Sequence, residues 1–257
     1  MDMTKKFQQE VHANIEGLKN DRDIQDLSRI WLRDTLPHHY SYNFSWMGRP
    51  IIQYPQDMIA MQEIIWRVQP DLIIETGIAH GGSLIFYASL LELIGKGSVL
   101  GIDIDIRPHN REQIEAHPMI KRISLLQGSS IAVDTVASVR RTAKDAQTIL
   151  VVLDSNHTHD HVLAELDAYA DLVSPGSYCV VFDTVVEDLP PSRYPDRAWD
   201  VGNNPKTAVH EYLRRLKEQS STAADGRRLA FEIDKSIENK ILITVAPDGY
   251  LKRVVVD

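Results

Sequence analysis

The sequence has 257 residues and a single cysteine, Cys179, so no intramolecular disulfide can form. Cysteine-based zinc sites, which need several thiolates, are excluded with it. Cys179 sits in the apolar run YCVVF, which marks it as a buried, inert thiol rather than a nucleophile. No apolar run approaches the ~20 residues that a membrane-spanning helix needs. The opening MDMTKKFQQEVHANIEGLKNDRD lacks the apolar stretch of a signal peptide. The expectation is a soluble, cytoplasmic protein with no membrane partner. Basic residues are outnumbered, 28 Lys+Arg against 36 Asp+Glu, for a net charge of −8, and no basic block occurs. Nucleic-acid binding needs a positive stripe, so no nucleic-acid partner is expected. Internal repeats and low-complexity segments are absent too, as are the Gly-Lys-Ser/Thr of a P-loop and the GxGxxG of a dinucleotide fold.

What is present begins with a helical pattern over 1–36, where Val11, Ile15, Leu18 and then Leu27, Ile30, Trp31 recur at helical spacing. The segment PHHYSYNFSWMGRPIIQYP, 37–55, is irregular; so much aromatic surface needs a partner, and a pocket beneath it is the expectation. A helix runs from Asp57 to Val68. From residue 71 strands alternate with helices: strands at 72–75, 98–103, 122–126, 148–154 and 177–183, and helices at 83–94, 109–116, 131–144, 159–172 and 205–219. Two further strands are read in LAFEID and ILITVA, with YLKRVVV as a short final one. Short apolar strands separated by helices predict a mainly parallel, doubly wound α/β sheet covered on both faces. Two parts follow: residues 1–56, a helical and aromatic segment, and 57–257, the α/β domain.

Ligands of such folds bind outside the carboxyl ends of the strands. Five strands end there in polar residues: Glu75, Asp103 with Asp105, Gly128-Ser129-Ser130, Asp154 and Asp183. The first of these ends runs into ETGIAHGGS, where Gly77, Gly81 and Gly82 allow a tight turn and a close backbone approach before a helix N-terminus. Glu75 makes this turn acidic, which suits a cationic or hydroxyl-rich ligand and repels phosphate. E-x-G-x-x-x-G-x-S resembles the first motif of S-adenosylmethionine (SAM) methyltransferases. Asp103 can accept both ribose hydroxyls of an adenosine ligand; Asp105, further past the edge, is the weaker candidate. Ser129 and Ser130 can meet an adenine edge, cap the helix at 131–144, or do both.

LDSNHTHDH, 153–161, is the second centre. Asp154 can ligate a hard cation, and His157 can act as general base on a substrate hydroxyl. Asp183 gives Asp154 a partner for magnesium, which takes one or two carboxylates plus waters. Zinc is disfavoured because no HExxH pattern is present. His159 and His161 read as surface residues at a helix N-terminus.

In this order ETGIAHGGS, GIDIDIRP, QGSS, LDSNHTHDHV and SPGSYCVVFDT resemble the cephalosporin hydroxylase-like family, which includes SAM- and magnesium-dependent sugar O-methyltransferases. The resemblance runs from about Trp46 to Leu216. It implies a Rossmann-like class I methyltransferase fold with an N-terminal helical extension. It implies SAM against Glu75, Gly77, Gly81, Gly82, Ser83, Asp103, Ser129 and Ser130, with Asp154 at its edge. It also implies a metal at Asp154 and Asp183, His157 as base and Asp154 beside it in catalysis, a sugar-like acceptor, and homo-oligomers. One departure stands out. The family's fifth strand ends in Glu-Asp, whereas Phe182-Asp183 stands here, so either Thr184, Glu187 or water replaces the missing ligand or metal binding is weakened. The loop 184–205, with Arg193, Arg197, Trp199, Asn203 and Asn204, is expected to shape the acceptor pocket. Two rivals are a hydroxylase component using iron, which would need His159 or His161 as a second histidine ligand, and a non-catalytic SAM-fold binding partner.

Overall fold

The computed structural model describes residues 3–256. Two helices, α1 (Met3–Asn20) and α2 (Arg22–Thr35), come first. The aromatic segment is not wholly irregular. It holds two short 3₁₀ turns and a hairpin of β1 (Phe44–Trp46) and β2 (Arg49–Ile51). Met47 and Gly48 both have positive φ, the backbone that a two-residue hairpin turn requires. Met-Gly is a weak turn signal beside Asn-Gly, which is why the hairpin does not show in the sequence.

The sheet then builds in sequence with its helices: α3 (Pro55–Val68), β3 (Leu72–Thr76), α4 (Gly82–Ile94), β4 (Ser98–Asp103), α5 (Pro108–Glu115), β5 (Ile123–Gln127), α6 (Val133–Ala143), β6 (Ile149–Leu153), α7 (His159–Tyr169), β7 (Tyr178–Val181), α8 (Pro205–Glu218), β8 (Phe231–Ile233), α9 (Lys235–Ile241) and β9 (Tyr250–Arg253). Strand order is β5-β4-β3-β6-β7-β9-β8, parallel from β5 to β7, with β9 antiparallel to both its neighbours. The doubly wound α/β class expected from the alternation is therefore the fold.

Alternate strand residues feed two cores. Leu72, Ile74, Val151, Leu153, Cys179 and Val181 face Val139, Leu166 and Val209 of α6, α7 and α8. Ile73, Leu150, Val152 and Val180 face Ile64, Leu84 and Tyr87 of α3 and α4. Full burial of each such aliphatic side chain contributes about 1.5–3 kcal/mol. Strand order reverses between β3 and β6, so the crevice beside their carboxyl ends is the topological switch point.

The strand expected in ILITVA does not form. Asp234 caps α9 by accepting from Ser236 N at 3.2 Å, so the helix takes the start of that run through Ile241. The rest is drawn to a buried carboxylate: Asp57 accepts from Thr244 Oγ1 at 2.5 Å, Val245 N at 3.0 Å and Tyr250 Oη at 2.7 Å. Among these, Val245 N is a backbone donor that a strand would have spent on a ladder. The YLKRVVV segment supplies the last paired strand instead, with Tyr178 opposite Lys252. Among the described residues no helix is long and apolar enough to cross a membrane.

Candidate active site

The glycine turn sits at the switch point because two close approaches require it. Gly77, at φ +88°, packs on the loop after β6; a Cβ there would stand 2.6 Å from the Asp154 carbonyl carbon. Gly82 lies under β2, where a Cβ would stand 2.6 Å from Ile51 Cα. Gly81 takes positive φ at the N-cap of α4 and packs on Ile114. The turn is held from two further sides. Asp103 Oδ2 accepts from Ile78 N at 2.8 Å, and its Oδ1 accepts from Asp105 N at 3.0 Å. Arg49, nearly buried, donates to the His80 carbonyl through Nε at 3.1 Å and to Asn110 Oδ1 at 3.1 Å, while Asn110 Nδ2 donates to the Ala79 carbonyl at 2.9 Å. Sequence reasoning missed Arg49 and Asn110. Arg49 follows a turn glycine directly, which was the one available signal.

Glu75 is 1% exposed and accepts from Ser83 Oγ at 2.8 Å through Oε2, while its Oε1 has no hydrogen-bond partner. Burial pushes its carboxyl up to about 8, against the Ser83 hydroxyl that donates to it. The two serines at the end of β5 do not cap the next helix: α6 begins at Val133 and its N-cap is Ala132. Ser130 Oγ bonds His161 Nε2 at 3.1 Å instead.

His161 corrects a second expectation. It is not a surface residue but part of an internal group, with Ser155 Oγ 3.2 Å from the same nitrogen and Ser155 donating to the fully buried Glu165 at 2.6 Å. His159 is also spent internally: its Nδ1 pairs with Thr207 Oγ1 at 2.8 Å and joins α7 to α8.

Two confluent cavities, of about 410 and 500 Å³, occupy the crevice. The first is walled by Gly77, Gly82, Ser83 and the aromatic segment, Tyr40, Tyr42 and Tyr54 among it. The second is walled by Asp103, Ser129, Ser130 and His161. Asp103, His157, Asp183, Arg197 and Trp199 border both. Asp105 borders neither and is exposed.

Where the cavities meet, Asp154, His157 and Asp183 bring their ligand atoms within 4.8 Å of one another. His157 Nδ1 lies 2.8 Å from Asp183 Oδ2. Asp183 reaches inward because its backbone adopts φ +55°, just past the end of β7. Burial, and then the Asp183 charge, push the Asp154 carboxyl well above its usual range. Burial works against the His157 cation, yet Asp183 and then Asp154 outweigh it and raise the imidazole to about 9. Two carboxylates confined this closely, one of them pushed well above its usual range by burial and by the other's charge, suit a hard divalent cation that completes its shell with water. Neither side chain expected as a substitute ligand lines either cavity. Thr184 Oγ1 donates to the Pro247 carbonyl at 2.6 Å, and Glu187 accepts from Gly202 N at 2.8 Å and from Asn204 Nδ2 at 2.5 Å.

The loop 184–205 divides likewise. Arg197, Tyr194 and Trp199 face the cavity, with the Trp199 ring 5.6 Å from the His157 ring and tilted 41° to it. Arg193 is exposed and borders neither cavity. Asn203 accepts from His159 N at 2.9 Å, and Asn204 caps α8 through Lys206 N at 3.0 Å, so both serve the scaffold.

A family model described as Rhamnosyl O-methyltransferase/CmcI matches residues 38–254. Rhamnosyl O-methyltransferase of Mycobacterium leprae (strain TN) is 29% identical over 215 residues, which cover 81% of this chain and 82% of that protein. Among solved structures, apo CmcI superposes with a TM-score of 0.60 at 22% identity, covering 84% of this chain and 78% of the other. CmcI with Mg and SAM gives 0.57 at 20% identity, covering 83% and 78%. At these identities the structural likeness concerns the fold.

Proposed function

The chain belongs to the Rhamnosyl O-methyltransferase/CmcI family, and on that premise we propose that it transfers a methyl group from SAM to a hydroxyl of a sugar or similar polyhydroxylated molecule. The observation that carries this reading is the group Asp154, His157 and Asp183, gathered where the two cavities meet beside the glycine turn.

In this reading the adenosine end of SAM lies in the second cavity, against Asp103, Ser129 and Ser130. The methionyl end lies in the first, between the glycine turn (Gly77, Gly81, Gly82), Ser83 and Glu75. Gly77 and Gly82 let the turn pack directly on the loop after β6 and on β2, which sets the shape of this cradle. The acceptor enters over Tyr40, Tyr42, Tyr194 and Trp199, whose ring faces suit the C–H faces of a sugar. Residues 1–56 thus contribute the acceptor wall. Holding methyl donor and hydroxyl in line is the protein's main contribution.

His157 is the base. Asp183 accepts from Nδ1–H, which leaves Nε2 as the basic atom and fixes the ring's orientation. When a magnesium ion is bound by Asp154 and Asp183, it offsets the two charges that hold His157 protonated and increases the acidity of the acceptor hydroxyl. His157 then takes the hydroxyl proton as the oxygen attacks the methyl carbon. CmcI, a family member by name, has been solved with Mg and SAM, which supports the same pair here. An iron hydroxylase is not favoured: its facial triad needs two histidines and one carboxylate, whereas here one histidine meets two carboxylates, with His159 on Thr207 and His161 on Ser130.

We further propose that the enzyme is cytoplasmic and self-associating. Ile59 and Trp66, two turns apart on α3 and both more than half exposed, offer apolar surface for a second copy. The decisive experiment is calorimetric titration with SAM, with and without magnesium, followed by labelled methyl transfer to simple deoxysugar glycosides. Magnesium-dependent transfer is the expected result, and no SAM binding at millimolar concentration would sink the reading.

A further inference from the structure

The aromatic segment reaches further into the crevice than an acceptor wall needs to. Gln53 is 3% exposed and stands on the wall of the first cavity. Its Nε2 donates to the Tyr87 hydroxyl at 3.4 Å, and its Oε1 has no hydrogen-bond partner. Tyr87 is fully buried and lies beside the Glu75 carboxyl, whose Oε1 is likewise without a partner. Ser83, on the cavity wall, donates to the other carboxylate oxygen.

The Tyr87 hydroxyl lies between the Gln53 amide and the Glu75 carboxyl. The Tyr87 oxygen then accepts from the Gln53 amide nitrogen, which leaves the Gln53 oxygen as an acceptor. Two buried oxygens, Gln53 Oε1 and Glu75 Oε1, therefore lack partners, and a cation beside them would favour the ionised form of a carboxyl that burial otherwise pushes up to about 8. Leaving such groups unpaired is unfavourable. A primary ammonium matches them: it brings three N–H donors and the opposite charge. A carboxylate would be repelled by Glu75.

We propose that Gln53 is a donor-site residue that joins Glu75 in receiving the α-ammonium of the methionyl end of SAM. The inference rests on the methyltransferase reading above. It gives the N-terminal segment a second task, since the hairpin that covers the acceptor also holds the donor. Arg49 and Ile51, which brace the glycine turn from the same hairpin, place Gln53 two residues further on. Ordering of this segment and donor binding are then coupled.

The test compares two ligands on the full-length protein by calorimetry: S-adenosylhomocysteine and 5′-deoxy-5′-methylthioadenosine, which lacks the amino-acid end. Gln53→Met keeps the volume and removes the polar atoms. The expected result is about tenfold weaker S-adenosylhomocysteine binding, the loss of about one charge-assisted hydrogen bond, with methylthioadenosine affinity unchanged. Equal losses for both ligands, or no loss for S-adenosylhomocysteine, overturn the proposal. If the unaltered protein binds neither ligand, the methyltransferase reading itself falls. Should Gln53→Met fail to fold, Tyr87→Phe removes the hydroxyl that orients the amide and must show the same selective loss.

Discussion

Replacing Gly77 with alanine tests how the crevice is built. Gly77 has φ +88°, and an added Cβ would stand 2.6 Å from the Asp154 carbonyl carbon and 3.0 Å from Ser155 Cα. Ordinary contacts of this kind are about 3.5–4 Å, so the backbone after β6 must move by roughly 1 Å. The left-handed conformation costs an alanine about 1–2 kcal/mol, and overpacking adds about 1–3 kcal/mol. The total, about 2–5 kcal/mol, lowers Tm by about 5–15 °C in a chain of this size. Gly176→Ala is the control. Gly176 has φ +78° but nothing within 4 Å of its would-be Cβ, so it pays the backbone term alone, about 2–6 °C. Scanning calorimetry of the two variants separates close approach from conformational strain. Because the displaced carbonyl belongs to Asp154, S-adenosylhomocysteine affinity should also fall in Gly77→Ala and hold in Gly176→Ala. Equal Tm shifts for the two variants would refute the argument that the turn is glycine because of the strand end beneath it.

Glu75 predicts a pH dependence. Burial raises its carboxyl from 4.5 to about 8 on folding. A raised acid contributes stability that is fully present below 4.5 and is lost as pH rises through 8, about 5 kcal/mol at most. Glu75→Gln should flatten unfolding free energy measured between pH 5 and 8.5; an unchanged slope would place the titration elsewhere. His157→Gln should lower the methyl-transfer rate constant by about 10²–10⁴ and leave S-adenosylhomocysteine binding intact, and an equal loss of binding would make His157 a scaffold residue. Asp57→Leu strands the Thr244, Val245 and Tyr250 donors, at about 1–3 kcal/mol for each group left buried. A urea midpoint equal to that of the unaltered protein would show that the segment 242–249 has another anchor.

The strand ends were readable because parallel strands covered on both faces must be apolar throughout, so the first polar residue marks the edge. That one rule gathers Glu75, Asp103, Ser130, Asp154 and Asp183 from positions far apart in sequence. It fails where local and long-range signals compete. ILITVA is apolar enough for a strand, but the Asp234 cap favours helix before it, and the Asp57 carboxylate, about 190 residues away in sequence, captures the donors after it. No window along the chain contains both partners. His161 is a different case, because a signal was there to be read. Val162, Glu165, Leu166 and Tyr169 share the buried face of α7, so a glutamate sits on an apolar stripe where a charge needs a neighbour. The residue one turn before Glu165 is His161, and that spacing points the imidazole inward toward whatever the strand ends present. Ser130 and Ser155 are what they present. A buried acid at helical spacing from a histidine is therefore evidence for an internal polar cluster. Thr184 and Glu187, expected as substitutes where Phe182 precedes Asp183, bond Pro247 and Asn204 instead. In the proposed reading the cation is held by the two carboxylates Asp154 and Asp183, with water making up the rest.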